Sequence, residues 1–145
     1  MDNRTRLLRG IFSQGFRTPD WRHKQPLPVV SLEEFFEQND DPESFAVNLQ
    51  DHPGLEFFYD KLKSIRAEAD VNQVLVSIYD LEPILAGGWP FSQNAHILTS
   101  ANAKRVQSWA ASLRANGGFK GWPVGVPHAA AKEGGAFLWW SIAWR

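Results

Sequence analysis

The chain of 145 residues contains no cysteine and a single methionine. Without cysteine there is no disulfide, no thiol nucleophile and no thiolate metal site, and the composition suits a reducing compartment. Long apolar runs are missing too, none approaching the roughly 18 residues needed to cross a membrane. The stretch LLRGIF is cut by Arg9 and Gly10, so the positively charged N-terminus lacks the apolar centre of a secretory signal. The expected location is therefore the cytoplasm, with no membrane span. Net charge is almost absent, at -1, which gives no general attraction to nucleic acid or to an anionic bilayer.

Several chemical signatures are also lacking. There is no G-x-S-x-G elbow, no H-x-H or H-E-x-x-H spacing, and neither glycine-rich phosphate motif. His23, His52, His96 and His128 are scattered, so no metal site is read from spacing. The carboxylates of Glu33-Glu34 and of Asp40, Asp41 and Glu43 read as a helix cap and an acidic turn. No catalytic residue, cofactor or metal is assigned.

What the chain has in excess is tryptophan, seven in all, three of them in the closing GGAFLWWSIAWR. Rings of this size dominate buried area, so most belong to a core and a minority can mark an interface. Charge is uneven as well. Residues 1–24 hold six cations against two carboxylates, a local +4, leaving -5 on the other 121 residues. Gly10, Gly15, Pro19, Pro26 and Pro28 punctuate this region, which predicts an irregular basic arm over 1–30 ahead of one domain over 31–145.

Ser31-Leu-Glu-Glu34 is a capping box opening a short extra helix. SFAVNL (44–49) alternates like a half-buried strand. Asp51-His52-Pro53 supplies cap chemistry for a helix in which Leu55, Phe58, Tyr59, Leu62, Ile65 and Ala69 recur at helical spacing. Strands follow at 74–80 and 95–100. Ser100 caps a third helix with Val106, Trp109, Ala110 and Leu113 on one side, a long loop spans 117–135, and the terminal strand closes the chain.

The order β-α-β-β-α-β predicts an α+β, ferredoxin-like split arrangement: a four-stranded antiparallel sheet with two helices on one face. Leu138, Trp140, Ile142 and Trp144 then face the helices, while Phe137 and Trp139 lie on the other, open face with Tyr79 and His96. That topology gathers loops 50–53, 81–93 and 117–135 at one end, with Asp51, His52, Trp89, Trp122 and His128 as candidate binding residues. The central strands lack the aromatics of an RNA-binding sheet, so nucleic-acid binding is disfavoured.

LEEFFEQNDDPESFAVNLQDHPGLEFFYDKLKSIRA, VLVSIYDLE and WPFSQNAHILTS together resemble a family of small uncharacterised bacterial proteins, over about residues 31–125. The resemblance implies a bacterial, cytoplasmic origin and brings no catalytic residue with it. The expected function is that of a non-enzymatic, immunity- or inhibitor-like module that binds a protein partner or forms a homodimer through the open aromatic face. The alternative is a small-molecule-binding or enzymatic dimeric domain with a pocket around His96, Tyr79 and Trp139.

Overall fold

The computed structural model describes residues 2–14, 26–123 and 125–145, apart from the side chains of Glu82 and Leu85. The basic residues Arg17, Arg22 and Lys24, and His23, fall outside the described residues. Among the described residues, four α-helices and a five-stranded antiparallel sheet make up an α+β fold. The elements are α1 (Asn3–Ser13), β1 (Val29–Ser31), α2 (Leu32–Phe36), α3 (Leu55–Arg66), β2 (Val71–Ser77), β3 (Asn94–Thr99), α4 (Ala103–Ser112), β4 (Gly117–Lys120) and β5 (Leu138–Ala143). The sheet order is β1-β2-β3-β5-β4, which puts β3 at the centre and β1 and β4 at the edges.

This corrects the four-stranded ferredoxin-like arrangement. Residues 44–49 form no strand. A single 3-10 turn, Pro42–Ser44, starts where Asp41 accepts from the Glu43 N–H, and Phe45 makes only an isolated bridge to Ser92. Ala46 then turns away with φ at +54°. The alternation lost to aromatic burial: the Phe45 ring lies 5.2 Å from Phe36, 5.1 Å from Phe58 and 4.9 Å from Trp144. With no strand there, β5 pairs directly with β3, Trp140 opposite Ile97 and Ser141 opposite His96. The two strands that sequence patterning missed are very short, three and four residues.

Residues 3–13 are helical rather than irregular. Asp2 caps α1 by accepting from the Thr5 N–H, and Leu7 and Ile11, one turn apart, are wholly buried. Gly10, which reads as a breaker, marks a close approach: a Cβ there would stand 3.0 Å from a Glu34 carboxylate oxygen of α2. The Ser31 capping box is present in full, with the Glu34 N–H donating to Ser31 Oγ at 3.1 Å and the Ser31 N–H to Glu34 Oε1 at 3.0 Å. The observed caps of α3 and α4, Gly54 and Asn102, lie three and two residues beyond the expected Asp51 and Ser100.

All four helices contribute to one core over one side of the sheet. Phe35, Phe58, Leu62, Val106 and Trp109 meet Val74, Val76, Ile97, Trp140, Ile142 and Trp144 there. The expected phase of the closing strand is therefore observed for Trp140, Ile142 and Trp144, while Leu138, at the strand end, stays 37% exposed. No helix among the described residues is long and apolar enough to cross a membrane.

Candidate functional site

The second sheet face carries Val29, Leu75, Leu98 and Trp139, and in the register row between them Leu75, His96 and Ser141. It is not open. The chain after β4 folds back across it, laying Trp122, Ala130 and Ala131 on the apolar residues and leaving Trp139 only 1% exposed. The long 117–135 segment thus supplies both a strand and a roof. Its glycines make the path possible: Gly121 and Gly125, on either side of Trp122-Pro123, have φ of +86° and +104°, values that side-chain-bearing residues rarely adopt.

Hydrogen bonds fasten this roof. Trp139 Nε1 donates to the Ala131 carbonyl at 2.8 Å, the Trp139 N–H to a Glu133 carboxylate oxygen at 2.7 Å, and the Ala131 N–H to Gln73 Oε1 at 3.1 Å. An exposed aromatic platform of Phe137 and Trp139 does not exist in this arrangement. Phe137 is half-buried against the same small core.

Beneath the roof lies a polar seam. His96, 1% exposed, has Nδ1 2.7 Å from Ser141 Oγ and Nε2 2.8 Å from Ser77 Oγ. Proton counting settles its state. Ser141 spends its only hydroxyl proton on the Gly121 carbonyl at 2.7 Å, so toward His96 it can only accept. The proton is therefore on Nδ1, and Ser77 donates to Nε2. Burial disfavours the charged ring and pushes the His96 pKa down to about 3. The Trp122 indole stacks on the imidazole with ring centres 4.0 Å apart.

A serine hydroxyl donating to a histidine nitrogen is the geometry of an activated nucleophile. Three features argue against that use here. The group holding Nδ1–H is a neutral serine, which cannot stabilise an imidazolium as a carboxylate would. The ring is a very weak base. The space bounded by Leu27, Ser77, His96, Trp122, Pro123 and Gly125 is about 10 Å³, room for about one water. The seam joins β2, β3 and β5 side by side, and its chemistry is that of a satisfied buried network.

A larger space opens on the outer side of the roof. A cleft of about 270 Å³ is bounded by Gly121, Trp122, Val126, Ala130, Ala131, Lys132, Glu133 and Trp139. Trp122 and Trp139 meet at 4.9 Å with their planes tilted by 57°, and Val126 is 64% exposed. The buried Trp122 Nε1 has no hydrogen-bond acceptor.

The other expected site residues are dispersed. Tyr79 is tilted against Phe91 at 6.4 Å and does not line the space beside His96, which Ser77 lines instead. Trp89 is buried in the helix-side core next to Gly88, whose carbonyl accepts two bonds from Arg4, at 3.1 and 3.0 Å. His52 serves as a local brace: its Nδ1 accepts from the Gly54 N–H at 3.0 Å, so Nε2–H donates to the Phe45 carbonyl at 2.7 Å. Asp51 is exposed with φ at +53°, its carbonyl accepting from Arg114. His128 is exposed on the roof. Asp51 and His52 thus lie with the helices and Trp122 on the opposite face, so the three loops do not converge. No cluster of His, Asp or Glu fit for a metal occurs among the described residues.

Ser77 and Ser141 were missed by sequence reasoning, although a signal was there. Each is a lone hydroxyl in an apolar strand, out of phase with the core-facing residues, as His96 is. Three polar side chains in one such phase predict a shared sheet face.

The model of the uncharacterised YfbO protein family matches residues 3–136. The chain belongs to the YfbO family. It is 33% identical over 84 residues to the uncharacterised protein YfbO of Escherichia coli strain K12, an alignment covering 58% of each chain. The chain thus spans little more than half the length of that curated YfbO relative. No solved structure matches. The YfbO match runs from the first residues of α1 through the roof and stops just before β5, so both layers over the sheet lie within the shared region.

Proposed function

We propose that this protein is a non-enzymatic binding module, and that the Trp122–Trp139 cleft captures an apolar side chain of a protein partner. The observation carrying this reading is the cleft itself. It is walled by the half-buried Trp122, floored by the edge of the nearly buried Trp139, rimmed by Lys132 and Glu133, and flanked by an exposed Val126. Tryptophans in a pocket with a polar rim are the usual anchors of protein recognition. Its volume of about 270 Å³ has room for one large side chain. The locked state of His96 supports binding over catalysis. A cytoplasmic location belongs to the same proposal.

The test is a photo-crosslinking residue at position 126 in cells, with and without Trp122→Ala. A discrete adduct with another protein, lost in the Trp122→Ala variant while circular dichroism is unchanged, is the expected result. An adduct of twice the chain's own mass would instead identify a homodimer. No adduct above that of a crosslinker at Leu138 would remove the proposal.

A further inference from the structure

The two edge strands share a feature that the function above does not use. At one edge, Gln14 Oε1 accepts from the Val29 N–H at 3.0 Å and Gln14 Nε2 donates to the Val29 carbonyl at 2.8 Å. At the other, Gln107 Oε1 accepts from the Gly118 N–H at 3.0 Å and Gln107 Nε2 donates to the Gly118 carbonyl at 2.6 Å. A primary amide offers the same donor and acceptor pair as a peptide group. Each glutamine therefore occupies the outward-facing N–H and C=O of one edge residue, as a neighbouring strand would.

We infer that Gln14 and Gln107 guard the sheet edges, and that the Gln107 guard keeps β4 from pairing with β4 of a second copy of this chain. Unpaired strand edges are templates for intermolecular pairing, and proteins cover them. The second copy is the natural occupant, because an antiparallel pair about Gly118 would place the two Gly118 residues opposite each other, with no side chain at the contact. Gly118 is fixed for another reason too: a Cβ there would come within 2.9 Å of Val106 Cγ1, so its absence lets α4 approach closely enough for Gln107 to reach. The guards differ in strength. Gln14 is half-buried and its Nε2 is also held by the Gly10 carbonyl at 3.0 Å, whereas Gln107 stands in solvent. The β4 edge is the one a substitution opens.

The experiment uses Gln107→Ala in the full chain. Gln107 is exposed and alanine favours a helix, so folding is retained. Wild type is expected to stay monomeric in sedimentation, with a Gly118 amide that exchanges slowly for an edge position. In the variant that amide is expected to exchange about tenfold faster or more in dilute solution, and to regain protection as a dimer forms on concentration. A folded Gln107→Ala protein that remains monomeric at every concentration would overturn the inference. So would a wild-type Gly118 amide exchanging as fast as the variant's, which shows no guard in solution, or a wild-type dimer already paired through β4.

Discussion

On the helix side of the sheet, Trp144 packs against Phe45 and Phe58 and donates Nε1–H to the Leu113 carbonyl at 2.9 Å. On the other side, Trp139 packs against Trp122 and donates Nε1–H to the Ala131 carbonyl at 2.8 Å. The two indoles are equally buried and equally bonded, yet their covers are unlike. Four helices, each stabilised by its own backbone bonds, lie over the first. A glycine- and alanine-rich loop, with few internal backbone bonds among its described residues, lies over the second, and beneath it stand two hydroxyls and an imidazole. Burial alone therefore does not tell a helix-covered core from a loop-covered face; the autonomy of the cover does.

The largest expected effect breaks the first side. Trp144→Ala removes an aromatic centre shared by α3 and β5 and is expected to cost about 4 kcal/mol, read as loss of cooperative unfolding at moderate urea. Trp139→Ala is expected to cost less, about 3 kcal/mol, because a loop settles into a void more readily than helices do. Hydrogen exchange sharpens the contrast: in Trp139→Ala the amides of 121–133 lose protection while those of α3 and α4 keep theirs.

A third contrast concerns pH. The folded-state pKa of His96 is about 3, below the roughly 6.5 of an unfolded histidine, so its neutral burial contributes fully above pH 6.5. As pH falls through the window from 6.5 to 3, the unfolded chain takes up a proton that the folded one refuses. Stability is expected to drop by about 2 kcal/mol at pH 5 from this group. Urea titrations of wild type and His96→Gln at pH 7.5 and pH 5 check it, the variant lacking this part of the loss.

Trp122→Ala is expected to cost about 1–2 kcal/mol and to raise the His96 pKa by admitting water. Smallest of all, Val126→Ser is expected to change stability by less than about 0.5 kcal/mol.

The same contrast explains what was legible in the sequence. Helical spacing in Leu55, Phe58, Leu62 and Ile65, and the phase of Trp140, Ile142 and Trp144, are local patterns that the helix-side core reads directly. α1 was as legible in Leu7 and Ile11, but Gly10 spoke against it, and its reason is a neighbour 24 residues away. Phe45 alternated like a strand residue and was taken by an aromatic cluster formed from three other elements. β1 and β4 are too short for periodicity to register. The roof has no periodicity at all: Trp122 and Ala131 are placed by glycine dihedrals and by partners on β2 and β5. His96 and Trp139 do share one face, but nothing local shows that Trp122, Ala130 and Ala131, 26 to 35 positions beyond His96, would cover them.

The seal over His96 depends on that cover, and a titration of the His96 ring nitrogens by nuclear magnetic resonance tests it most directly. Two distinct signals, a protonated Nδ1 and an unprotonated Nε2, unchanged from pH 7 to about pH 4, are the predicted result. A midpoint near 6.5 would show the imidazole open to water and the loop-covered face not sealed, and a proton on Nε2 would contradict the assigned roles of Ser141 and Ser77.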